Sequence, residues 1–176
     1  MGRTLQKSIL RIALATSLIL AIPLVVMQAS NEWNWSPFDF ALMGTLLFGA
    51  GMTYELVAKR GGGTYRAATG LAVATSLILI WVNAAVGIIG EGPVNAMYIG
   101  VIVIGIVGAV IARLTPHGMA RALFAMALAQ LAVPVLALAI WNPPFDPGIA
   151  PVFALNAVFA ALFVGAGVLF RRASDG

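Results

Sequence analysis

Ile9-Leu-Arg-Ile-Ala-Leu-Ala-Thr-Ser-Leu-Ile-Leu-Ala-Ile-Pro-Leu-Val-Val-Met27 carries one charge in 19 residues. A helix needs about 20 apolar residues to cross the hydrocarbon layer of a bilayer, and this run has that length. It is too long for the apolar core of a secretory leader. Met27-Gln28-Ala29 is also a poor cleavage site, because Met27 is not small. The run therefore reads as a mature membrane span.

Working outward, five further runs of the same kind follow. The expected spans are about 9–27, 40–58, 67–89, 94–112, 122–140 and 149–170. Unsatisfied backbone amides are costly in lipid, so each is expected to be helical. The breaks between them are polar or rich in glycine and proline: Asn31 to Pro37, Lys59 to Arg66, Glu91-Gly92-Pro93, Thr115 to Gly118, and Trp141 to Gly148. The whole chain agrees: 61% of its 176 residues are hydrophobic and only 9% are charged, against about 25% charged in soluble domains. The fold class is thus an all-α integral membrane protein, one six-helix transmembrane domain over residues 1–176.

The basic residues set the orientation. Arg3, Lys7 and Arg11 lie at the start of span 1; Lys59, Arg60 and Arg66 lie between spans 2 and 3. Arg113 and Arg121 lie between spans 4 and 5, and Arg171 and Arg172 follow span 6. All fall on one side, which the positive-inside rule makes cytoplasmic. Both termini are then expected in the cytoplasm, in a bacterial inner membrane. The opposite side holds Glu32, Asp39, Glu91 and Asp146, with Trp33, Trp35, Trp81 and Trp141 as an interfacial aromatic belt. The basic composition follows from topology, so no nucleic-acid partner is expected.

An octet inside the first run recurs. Ala13-Leu-Ala-Thr-Ser-Leu-Ile-Leu20 and Ala72-Val-Ala-Thr-Ser-Leu-Ile-Leu79 agree at seven of eight positions. Ala127-Leu-Ala-Gln-Leu-Ala132 in span 5 is a weaker third copy. Pro37-Phe-Asp39 likewise recurs as Pro144-Phe-Asp146. The chain then reads as three tandem helical hairpins of about 55–59 residues. A pseudo-threefold axis along the membrane normal would relate them. This plan resembles that of mitochondrial carriers, but the repeats are too short and lack the proline–acid–base signature, so no function transfers. Glycines in spans 2, 4 and 6 and alanines in span 5 are expected to let the helices approach closely.

Seven residues are candidates for ligand binding. Thr16, Thr75 and Gln130 align in the repeat, each nine residues beyond a cation. That puts them about 13 Å in, as one polar layer. The layer would bind a small polar ligand or simply hydrogen-bond between helices. Pro23 and Pro134 lie just above it and free backbone carbonyls. Asn83, Asn95, Tyr98, Asp39 and Glu91 group toward the outer half, and Asn156 is polar in mid-span 6. With Trp81 they would frame a pocket open to the outside, or serve as interfacial anchors and loop caps, such as Ser36 and Asp39 at the start of span 2. Glu55 is a carboxylate about 6 Å inside Lys59, either functional or paired with that lysine.

The absences narrow the classes. The chain has no cysteine, a single histidine, His117, expected in a solvated turn, and no G-x-S-x-G or H-E-x-x-H. No metal, cofactor or catalytic set is expected, and a catalytic role has the least support. Two readings stand: a protein that binds or transports a small neutral or lipid-like ligand, and a non-catalytic accessory protein acting through helix contacts with a partner or its own copies, as a homo-oligomer. A bundle packed shut through the polar layer would count against the first.

Overall fold

The computed structural model describes residues 2–29, 34–90, 92–146 and 148–175, the side chains of residues 2–4 excepted. Glu32, Trp33 and Glu91, and the side chain of Arg3, lie outside the described residues. Six α-helices are present among them and no strand: α1 Gly2–Ala29, α2 Pro37–Ala58, α3 Gly63–Ala85, α4 Met97–Ile111, α5 Pro116–Ile140 and α6 Ile149–Arg172. A 3-10 turn, Pro93–Ala96, leads into α4. With that turn counted as part of α4, all six are long and apolar enough to cross a membrane.

The helix starts follow local chemistry. At α2 the Ser36 hydroxyl accepts the Asp39 amide at 3.3 Å, and the Asp39 carboxylate accepts the Ser36 amide and hydroxyl at 2.7 Å each. This is a reciprocal cap, with Pro37 at the first helical position where its missing N–H costs nothing. At α5, Thr115 is extended and Pro116 takes the first position. The helix therefore begins earlier than the sequence suggested. His117 lies in its first turn rather than in a connecting turn, exposed, with Nδ1 3.3 Å from the Ser174 hydroxyl.

The third span departs most from expectation. Hydropathy carries it to Ile89, but the helix stops at Ala85. Gly87 and Gly90 then take φ of +68° and +115°, which breaks the helical path. Ile88 and Ile89 are buried in this loop, and their amides donate to Asn95 Oδ1 at 3.1 and 3.0 Å. The asparagine supplies the acceptor that a continued helix would have supplied.

The chain falls into two compact units, Met1–Leu56 and Val57–Gly176. In the first, α1 and α2 are antiparallel with a stepwise register. A Cβ added at Gly44 would stand 3.3 Å from Leu20, and one at Gly51 would stand 2.7 Å from Ile12. One turn further, Glu55 meets Ser8. Glycine at position 51 lets the α2 backbone rest on the Ile12 side chain.

In the second unit α6 lies along both α3 and α5, and α4 lies along α5, while α3 and α4 touch only sparsely. The packed order is α3, α6, α5, α4, so consecutive α3 and α4 are not each other's main partners. Ala120, Leu123, Ala127, Gln130, Pro134 and Ala137 are buried on α5. On α6 the corresponding set is Val152, Asn156, Phe159, Phe163, Ala166 and Phe170. Both sets advance by alternating steps of three and four, the spacing of a seam between antiparallel helices. Large side chains point the other way on α5: Leu128, Leu131, Val135, Leu136 and Ile140 are exposed. The α5 alanines in the seam lie against the α6 side that carries Phe159, Phe163 and Phe170, so small and large side chains alternate across it. At Gly108, on α4, a Cβ would lie 2.5 Å from that of Ala122 on α5, so glycine sets the closeness of that pair.

Candidate functional site

Two seam positions are polar. Gln130 on α5 and Asn156 on α6 are fully buried among apolar neighbours, and Tyr98 joins them from the start of α4. Gln130 Nε2 donates to Asn156 Oδ1 at 2.9 Å, and Tyr98 donates its hydroxyl to the same oxygen at 3.0 Å. Asn156 Nδ2 donates to the Val152 carbonyl at 2.8 Å. Three helices of the unit thus converge on one amide.

The polarity of this network follows from one fixed point. The Val152 carbonyl can only accept, so the Asn156 NH2 must face it. Asn156 Oδ1 then faces Gln130, and that oxygen can only accept. Gln130 must present its NH2 and turn its own carbonyl away. Gln130 Oε1 is left buried without a hydrogen-bond partner among the described residues. Flipping the glutamine would set two carbonyl oxygens face to face. Such an orphaned acceptor costs about 1–3 kcal/mol.

The candidates named from the sequence separate into different settings. Of the aligned set, Thr75 is buried and donates to Leu71 of its own helix at 2.7 Å. Thr16 is half-buried on α1, in the other unit. Gln130 finds its partner in Asn156, whose Oδ1 also accepts from Tyr98, rather than in the threonines. Of the outer group, Tyr98 belongs to the seam cluster, whereas Asn95 organises the α3–α4 loop. Besides accepting the two isoleucine amides, Asn95 donates to the carbonyls of Gly90 and Gly92. Its main-chain carbonyl accepts from Asn83 Nδ2 at 3.1 Å, and Asn83 Oδ1 is a second buried oxygen without a partner among the described residues. Trp81 is exposed.

Glu55 has a partner that the sequence reading missed. Ser8, buried on α1, donates its hydroxyl to Glu55 Oε1 at 2.7 Å. The two are 47 residues apart, so only the pairing of α1 with α2 makes the serine relevant. Tyr65 is another unread contact. Its hydroxyl donates to the Leu114 carbonyl at 2.8 Å, and its ring stands edge-on to Phe170 at 4.8 Å. This holds the α4–α5 turn, where Arg113 and Leu114 both adopt positive φ.

Chemically, the seam cluster is uncharged and offers acceptors and amide donors but no nucleophile with a base. The described residues hold no group of three metal-ligating side chains. No protein-family model matches the chain, nor does any curated protein or solved structure.

Proposed function

We propose that this chain is an integral membrane protein that binds, or passes, a small neutral or lipid-like molecule at the α5–α6 seam. The polar layer is closed at Thr75 and Gln130, both fully buried, which counts against this reading unless the ligand parts the helices to enter. What supports it is the Tyr98–Asn156–Gln130 cluster, polar and uncharged, with one carbonyl oxygen left unpaired among the described residues. A cluster serving only to join helices would gain by satisfying every member. A charged ligand fits poorly. Neither a cation nor an anion would find a counter-charge there, and an ion without one is costly at that depth.

Native mass spectrometry of the purified chain tests this. A neutral mass retained by the wild type and lost in Gln130→Leu supports the proposal. No retained mass, or equal retention in the variant, contradicts it.

In the same proposal the basic helix ends face the cytoplasm of a bacterial inner membrane, and the recurring octet marks a repeated hairpin. The chain contains no cysteine, so single cysteines report the sides directly. Ser174→Cys in intact cells should resist an impermeant maleimide, and Asn142→Cys should react with it.

A second reading, the accessory or assembly protein, is favoured by one observation. Leu10, Leu14, Leu18 and Ile22 are exposed along one face of α1. Specific cysteine cross-links between copies from that face, none of them ligand-dependent, would support it.

A further inference from the structure

The structure leaves two groups at Gln130 asking for the same thing. Its side-chain carbonyl is buried and unpaired, and the orientation that leaves it so is dictated from Val152 through Asn156. Its main-chain carbonyl would take its helical hydrogen bond from residue 134, but that residue is Pro134, which has no N–H. Gln130 and Pro134 are both fully buried. One residue in the middle of α5 therefore combines an unpaired side-chain oxygen with a main-chain carbonyl that lacks its regular i+4 donor. Asn156 Oδ1, by contrast, already accepts from two donors.

We infer that Gln130 is the recognition point of the site, and that its ligand is a neutral molecule that donates an O–H or N–H to the glutamine oxygen. This rests on the ligand-binding proposal above and specifies its chemistry. Ethers, esters and ketones, which only accept, would meet a lone-pair clash at that oxygen. Ammonium donors would bring a charge that no seam residue neutralises. Alcohols and primary amides match. Pro134 also removes a backbone hydrogen bond from the stretch of α5 that has to yield when the ligand enters.

An alcohol of this kind is either the headgroup of an uncharged lipid or a free polyol, and matched pairs distinguish the two. The purified full-length chain in nanodiscs is titrated with 1-monoolein and with its 2,3-di-O-methyl ether. A second pair is glycerol and its tri-O-methyl ether. The expected result is that the alcohol of one pair binds about tenfold more tightly than its ether, the worth of one net hydrogen bond. Gln130→Leu should abolish that difference. Discrimination in the monoolein pair identifies a lipid headgroup, and discrimination in the glycerol pair a free polyol.

Alcohols that bind no better than their ethers would overturn the inference, a core that takes up water alone included. So would discrimination that survives Gln130→Leu. If that variant does not fold, the comparison within each wild-type pair still decides. A neutral mass retained in mass spectrometry without alcohol discrimination would leave the binding proposal standing and remove the donor chemistry. The loss of both would remove both.

Discussion

The α5–α6 seam and the α1–α2 pair solve the same problem with opposite materials. Each brings polar side chains together between apolar helices. At the seam the polar groups are uncharged, fully buried and linked across three helices, and the helices around them carry alanine and phenylalanine at regular intervals. Between α1 and α2 one of the two groups is a carboxylate, which accepts the Ser8 hydroxyl, and α2 is buried only at Ala58, beyond the boundary of its unit. The contrast teaches that hydropathy alone does not predict burial in this chain. α1 is among the most apolar helices and is scarcely buried.

Breaking the seam should give the largest effect. Asn156→Leu strands the Gln130 amide and the Tyr98 hydroxyl together, so the chain should lose about 2–4 kcal/mol of stability. Unfolding in mixed micelles with increasing denaturing detergent would read this. The double variant Asn156→Leu with Gln130→Leu should recover part of the loss, because it removes one of the stranded groups.

Two of the close glycine contacts sharpen the comparison at the next level. Gly108→Ala sets a methyl against the Ala122 Cβ and its backbone, neither of which can swing away. It should cost about 1–3 kcal/mol. Gly51→Ala meets the branches of Ile12, which can change rotamer, and should cost less. A larger loss at position 51 would show that the α1–α2 pair is the tighter of the two.

Asn95→Ala should act locally. It removes the acceptor of the Ile88 and Ile89 amides, so hydrogen exchange at those two amides should accelerate while the seam stays protected. The smallest effect is expected for Ser8→Ala, about 0.6 kcal/mol, typical of an interhelical side-chain bond in a membrane protein.

Much of this was legible in the sequence, and the limits have physical reasons. Six helices follow from run length alone, and Ser36 with Asp39 announces the start of α2. The end of α3 is hidden from hydropathy because Ile88 and Ile89 are apolar whether they lie in a helix or in a buried loop, and Gly87 and Gly90 are the better signal. Gln130, Tyr98 and Asn156 each stood out as polar within apolar runs. Their meeting did not, because in a chain apolar on every face hydropathy does not mark the seam. Alanines occur on every face of α5, Ala125 and Ala139 among the exposed residues, so their spacing does not mark it either. Ser8 had no local signal, since its partner comes from a helix pairing that one sequence does not disclose.

The claim that Gln130 is kept for recognition rather than for packing has a direct test in the stability of Gln130→Leu. Leucine removes a buried unpaired carbonyl, while Asn156 Oδ1 keeps its bond from Tyr98. Measured in the absence of ligand, the variant should be as stable as the wild type or more stable by about 1 kcal/mol. A loss of about 2 kcal/mol or more would show that the glutamine holds the helices together and would contradict the account.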